Sequence, residues 1–229
     1  MALTWDARLA ESFEPHHVFR KRPRRVTDEL DRLCHEINPA ARPIDVPVRP
    51  RPGARLHMCF SNVKSACAEH GGTMLCGWLI WEWAKTFIEA EHHAVWQRDR
   101  DLIDITPNLA SCPTVMFLPD PGRSFDFEDR RRRDNKRVAL RRDTSVREYL
   151  CLARQYVALE EAHSICGEVV FDPQTAARAR SITLRLKALE GELASWSVKN
   201  WGRNEPCWCN SGLKHKCCCL ARRALSSHR

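Results

Sequence analysis

The stretch EAEHHAVWQRDRDLIDITP, residues 89–107, consists of two apolar, β-branched and aromatic runs separated by Arg98-Asp99-Arg100-Asp101. That pattern predicts two antiparallel strands joined by a tight turn. Strand alternation then decides which side chains meet. If Gln97 pairs with Leu102, His93 and Asp104 become diagonal neighbours on one face, while His92 points to the other. This parity requires an even number of residues in the turn.

Further strand-like runs flank this hairpin. TMLCGWLIWEW (73–83) precedes it and TVMFLPD (114–120) follows it, so the four runs read together as an antiparallel meander. Before the meander, HMCFSNVKSACAEHGG (57–72) predicts a short helix behind Cys59, with Val63, Ala66 and Cys67 on one face and Gly71-Gly72 as its stop. A thiol at a helix N-terminus sits where the dipole and free N–H groups favour its thiolate. Cys59 is therefore a candidate nucleophile. Trp78, Trp81, Trp83 and Trp96 are core residues or the lining of an apolar groove, and Glu89 and Glu91 share the His93 face.

Five segments organise the 229 residues. Residues 1–53 form an N-terminal arm with helical stretches near 6–12 and 26–36 and a proline-rich end that suits extended chain. Residues 54–120 form the compact core, 121–142 an arginine-rich connector, 143–200 two long helices, and 201–229 a cysteine-rich tail. The capping-box pattern Ser145-Val146-Arg147-Glu148 predicts the start of the first long helix. Asp172-Pro173 predicts the start of the second, along which Ile182, Leu186, Leu189, Leu193 and Trp196 continue one apolar face.

The formal charge is +8, concentrated in RKRPRR (20–25) and DRRRRDNKRVALRR (129–142). Such runs make nucleic acid or another anionic partner a possibility to test. No apolar run reaches the eighteen or so residues of a membrane span, and the N-terminus has no basic start followed by an apolar stretch. The expectation is a cytoplasmic protein. Seven of the twelve cysteines are scattered, and five lie between Cys207 and Cys219. In a reducing compartment the scattered ones read as small buried hydrophobes and the cluster as a metal site.

Cys207 and Cys209 can reach one ion, and two of Cys217, Cys218 and Cys219 can complete a tetrahedral sulfur site of the kind zinc prefers. Spacing alone leaves the choice of two open. The stretch GRNEPCWCNSGLKHKCCC (202–219) resembles the SEC-C motif, the zinc-binding tail of SecA-type proteins, through Gly202, Arg203, Asn204, Pro206, Cys207, Cys209, Ser211, Gly212, Lys214 and Lys216. The resemblance implies Cys207, Cys209, Cys218 and Cys219 as ligands of one structural zinc ion per chain. It makes Cys217 a spare thiol, places a histidine, His215, where the family has an aromatic residue, and implies a protein or ribosome partner.

The order helix-start cysteine, strand histidine, next-strand aspartate resembles the transglutaminase-like and papain-like thiol enzymes. The segment is also similar to an uncharacterised bacterial group with a SEC-C tail. The expected fold is thus α+β: one helix plus an antiparallel meander as a papain- or transglutaminase-like core, then a helical hairpin and a small zinc knuckle. The first resemblance implies a hydrolase or acyl transferase using Cys59 as nucleophile, His93 as base and Asp104 as its orienting partner. The N–H of Cys59 and the Asn62 side chain are the candidate oxyanion donors. The alternative is a non-enzymatic zinc-binding adaptor for a protein, the ribosome or nucleic acid.

Overall fold

The computed structural model describes residues 20–83, 85–108, 112–130, 133–165, 167–207 and 211–220, together with the backbone of Leu3 and Thr4. The helical stretch expected near 6–12 and Cys209, expected as a ligand, lie outside these residues. The architecture is mixed α and β, with an antiparallel sheet, four helices and a C-terminal cysteine cluster.

Strands β4 (Thr73–Trp83) and β5 (Phe87–Arg98) pair along their whole lengths, from Thr73 opposite Gln97 to Trp83 opposite Phe87. β5 turns through Asp99-Arg100 into β6 (Asp101–Ile103), with Gln97 opposite Leu102. The turn holds two residues, Asp99 has the positive φ (57°) that tight hairpin turns require, and the predicted parity follows.

The meander does not continue as expected. β7 (Thr114–Pro119) pairs with β4, on the side away from β5, instead of lying beside β6. Burial explains the crossover. β4 is buried at every position from Cys76 to Trp81, and β7 is buried from Val115 to Leu118. Strands buried this continuously are central ones that take neighbours on both edges. β3 (Ile44–Pro47) covers the outer edge of β7, where its terminal proline is tolerated. The order is β3-β7-β4-β5-β6, with β2 (Arg20–Lys21) added along β4 and β8 (Lys136–Ala139) along β5. The arm and the basic connector therefore each contribute to the sheet.

Helix α1 (Asp28–Ile37) buries Leu30, Leu33 and Cys34 against Trp78, Ile80, Met116 and Leu118. Helix α2 (Cys59–His70) buries Val63 and Ala66 against Ala94, Trp96 and Ile105. Helices α3 (Thr144–Ala162) and α4 (Pro173–Lys199) pack on Trp83 and Phe87 through Val146, Tyr149, Leu150, Ile182, Leu186, Leu189 and Leu193. The predicted apolar face of α4 is thus core from Ile182 to Leu193, whereas Trp196 is half-buried beneath the Arg141 guanidinium; Trp78, Trp81, Trp83 and Trp96 are all buried in core clusters.

Two local expectations need correction. The cap of α3 is Asp143, whose carboxylate accepts the Val146 N–H, and not Ser145, which instead donates to Glu192 on α4. The two long helices are also not joined by a plain loop. β9 (Ser164–Ile165) and β10 (Glu168–Phe171) form a ribbon between them, and β10 also pairs with β1 (Leu3–Thr4).

Part of the basic charge is spent internally. Arg20 pairs with Glu91 at 2.5 Å and Glu89 at 3.3 Å, and Arg137 pairs with Glu89 and Asp134, each at 2.8 Å. Burial alone would raise the Glu89 pKa, but Arg20 and Arg137 hold it below the usual carboxylate range.

Candidate thiol and metal sites

The segment entering α2 is pinned before the helix begins. Asn62 accepts the Arg55 N–H at 3.0 Å and donates through Nδ2 to the Arg55 carbonyl (2.8 Å) and to Thr106 Oγ1 (3.2 Å). His57, in the left-handed region (φ 60°), turns the chain so that Cys59 becomes the first helical residue. The helix has no side-chain cap, so its first-turn N–H groups have no intrahelical acceptor.

Across from this helix start, β6 ends at Ile103. Asp104 leaves β6 to bridge Val48, its N–H donating to the Pro47 carbonyl at 2.9 Å. Its carboxylate Oδ1 accepts the Thr106 N–H (2.9 Å) and the His93 Nε2–H (3.2 Å). Exposure is 7 % for Cys59, 6 % for His93 and 1 % for Asp104, so the group is shielded from solvent. Burial pulls the His93 pKa down. The electrostatic pull of Cys59, then that of Asp104, and hydrogen bonds with both outweigh it and hold the imidazole well above the ordinary histidine range. His93 therefore stands between the thiol and the carboxylate.

His92 lies apart from this group, as the parity predicted. Its Nε2–H donates to the Arg123 carbonyl at 2.8 Å, and its ring touches Trp78 and Phe60. Burial lowers its pKa. The segment 120–127 lies over this side of the site. Trp78 Nε1–H donates to Asp120 at 3.0 Å, and Phe125 stacks on Phe60 with ring centres 4.2 Å apart. Cys76 is buried close to Cys59 and His93, and desolvation raises its pKa. Glu89 and Glu91 are engaged by Arg20 and Arg137 instead of being open to a ligand.

The second site is built by the tail. Glu205 accepts the Gly202 N–H and the His215 N–H bonds the Glu205 carbonyl (2.7 Å), while the Cys207 N–H bonds the Leu213 carbonyl (2.7 Å). Gly212 takes the left-handed conformation (φ 75°) just before Leu213, and a single 3₁₀ turn, His215–Cys217, leads into Cys218. The sulfurs of Cys207, Cys218 and Cys219 lie within 4.8 Å of one another, compatible with the roughly 3.8 Å spacing of a tetrahedral site with 2.3 Å Zn–S bonds. Cys207 and Cys218 are buried, Cys219 is half-buried, and Cys217 is exposed and outside the cluster. Ser211 Oγ lies 3.2 Å from the Cys218 sulfur, and buried His215 places Nδ1 3.5 Å from that of Cys207. His215, which in sequence marks only a departure from the family's aromatic residue, is buried beside the cysteine cluster.

The tail is fixed to the sheet. Lys85, in the β4–β5 turn, reaches Glu205 (2.8 Å) and the Asn200 carbonyl (3.1 Å), and its ammonium lies over the Trp201 ring.

Residues 203–221 match the SEC-C motif. No curated protein and no solved structure matches the chain. The convergent cysteines and this match give the tail a metal-binding role. No comparison supports the likeness of the central segment to thiol enzymes, which rests on the order and spacing of its residues alone. No described helix is long and apolar enough to cross a membrane.

Proposed function

We propose that the chain is a cytosolic cysteine-dependent hydrolase or acyl transferase acting on an amide or ester, with one structural zinc ion in its tail. What carries the reading is a buried imidazole held between a thiol and a carboxylate. Cys59 Sγ attacks the acyl carbon while its proton passes to His93. The tetrahedral oxyanion is met by the Cys59 N–H at the start of α2. On collapse the amine or alcohol leaves with the proton from His93. Water or another acceptor, deprotonated by the same imidazole, then cleaves the thioester. Asp104 occupies Nε2, which leaves Nδ1 as the ring atom facing the thiol. Asn62, engaged by Arg55 and Thr106, contributes by fixing the Cys59 loop against the Asp104 turn.

Zinc fits the tail because its sulfurs are gathered and shielded. Cys209 would supply the fourth ligand, and a site with four protein sulfurs leaves no position for water. Exposed Arg203, Lys214 and Lys216 offset the thiolate charge.

The test is peptide mapping of iodoacetamide labelling at neutral pH. Cys59 should label faster than Cys67 or Cys76, and His93→Ala should slow it by about tenfold or more through loss of the ion-pair partner. His92→Ala should leave the rate nearly unchanged. The burial of Cys59 and the SEC-C match favour a second reading, a zinc-binding adaptor for a protein, the ribosome or nucleic acid. Equal labelling of Cys59 and Cys67, indifferent to His93, would leave that reading in place.

A further inference from the structure

Three neighbouring chain segments deliver alternate residues to one surface cleft at the margin of the sheet. β5 contributes Trp96 and Arg98, and β6 with its extension contributes Ile103 and Ile105. The extension of β3 contributes Arg49 and Arg51, whose N–H groups bond the Asp104 and Ile105 carbonyls at 2.8 and 3.2 Å. Residues two apart on a strand share a face, so this spacing aims all six side chains at the same place. His70, the last residue of α2, closes one end. The cleft is shallow and open to solvent, with about 340 Å³ of space above its floor.

Its floor is apolar and its rim cationic. Trp96 is fixed by its indole N–H, which donates to the Gly71 carbonyl at 3.0 Å. Gly72 sits against it at φ 85°, where a side-chain carbon would fall 2.8 Å from the indole nitrogen and 2.5 Å from the Gln97 carbonyl oxygen. Any larger residue would displace the floor. The Arg51 and Arg98 guanidinium carbons lie 5.7 and 5.6 Å from the Trp96 ring centre. Arg51 is further oriented by Glu69 and His70. Among the described residues no carboxylate lines the cleft; Glu69 pairs with Arg51 and Asp99 with Arg98.

We infer that this cleft binds a small amphiphilic anion, an oxyanion head on an apolar body. The guanidinium pair of Arg51 and Arg98, with Arg49, receives the head, because planar forks match carboxylate and phosphate oxygens. Ile103, Ile105 and the edge of Trp96 receive the body. The eleven steps of α2 from Cys59 to His70 span roughly 16 Å at 1.5 Å per residue, so the His70 end of the cleft is remote from the thiol, while Ile103 and Ile105 flank Asp104 in the chain. The inference makes no use of the proposed hydrolase chemistry.

The experiment titrates the full-length, metal-loaded protein with 2-naphthoate, 2-naphthyl phosphate, neutral 2-naphthamide and inorganic phosphate. Binding is followed by the Trp96 indole N–H resonance and by calorimetry. At least one naphthyl anion should bind and move that resonance, and the better of the two identifies the head as carboxylate or phosphate. The amide and inorganic phosphate should bind at least tenfold more weakly. R51Q and R98Q should each weaken the anion by about tenfold, and R98K, which keeps charge but loses the fork, by less. Thermal melts confirm that these surface variants fold. Equal binding of the amide, unchanged affinity in both glutamine variants, or a Trp96 resonance unmoved by every probe overturns the inference.

Discussion

Replacing His93 with glutamine and, separately, His92 with glutamine should change the pH dependence of folding in opposite senses. His93 is held above the ordinary histidine range by Cys59 and Asp104, so in the folded chain it keeps a proton that the unfolded chain has released. Its contribution is fully present below the ordinary value of about 6.5 and is lost as pH rises through the folded value. Over that window one proton separates the two states, and stability falls by about 1.4 kcal/mol per pH unit. His92 has the reverse shift, caused by burial. Between its lowered folded value and the ordinary one, the unfolded chain holds the extra proton, so stability climbs with pH at up to the same slope.

Urea melts followed by tryptophan fluorescence, in steps between about pH 5 and pH 9, separate the two limbs. H93Q keeps an amide donor for Asp104 and should flatten the descending limb above the histidine range. H92Q should flatten only the rising limb below it. For a chain of this size a full unit of either slope is roughly 3–6 °C in melting temperature. In a C59S background the descending limb should end at lower pH, because Cys59 is the larger of the two electrostatic influences raising His93. If H93Q leaves the descending limb intact, or both variants alter the same limb, the assignment of His93 to the thiol and carboxylate is wrong.

The tail and the buried charges give two further predictions. Purified protein should carry about one zinc ion per chain, lost in Cys218→Ser and Cys219→Ser and kept in Cys217→Ser, as measured by elemental analysis; equal loss from all three would refute the ligand set. Glu89→Ala should destabilise by about 3 kcal/mol in chemical denaturation, the low end for a broken buried pair, since Arg20 keeps Glu91 and Arg137 keeps Asp134. A cost below about 1 kcal/mol would mean that the cluster behaves as a surface network.

The histidine and aspartate were legible because a two-residue turn and strict alternation fix parity over a few residues, whatever the rest of the sheet does. The same reasoning could not place β7, because a buried apolar run announces that it is central without naming its neighbours. The pairing of Arg20 with Glu89 and Glu91 joins residues about seventy positions apart, and in sequence both the acids and the basic run read as solvent-facing. The cap of α3 was misplaced by two residues because Ser145 and Glu148 satisfy the capping-box pattern while Asp143, with the stronger acceptor, stands just before them. In the tail, spacing left three cysteines open for two places. The fold leaves Cys217 exposed and gathers Cys218 and Cys219 with Cys207.

A thiol that is only 7 % exposed must be uncovered before it can meet a substrate, which directs attention to the segment 120–129. Its first half is held by buried polar bonds: Asp120 N–H to the Cys76 carbonyl, Trp78 to the Asp120 carboxylate, and His92 to the Arg123 carbonyl. Its second half is held mainly by rings, with Phe125 stacked on Phe60, Phe127 edge-on to Phe125, and the Lys64 ammonium 4.3 Å from the Phe127 ring centre. Aromatic pairs of this kind contribute about 0.5–1.5 kcal/mol each, and an exposed cation–π contact about 0.5–1 kcal/mol. Phe125 and Phe127 lift together, so raising the second half breaks the Phe125–Phe60 stack and the Lys64–Phe127 contact and costs on the order of 2 kcal/mol, which leaves roughly 3 % of molecules open at any moment. Cys59 would then react at roughly 3 % of its intrinsic rate, and Phe125→Ala, by removing the stack on Phe60, should raise iodoacetamide labelling by roughly fivefold. The descending limb assigned to His93 should not move, because Phe125 touches neither Asp104 nor the imidazole. A labelling rate unchanged by Phe125→Ala would place the approach to Cys59 on the other side, past His57 and Met58.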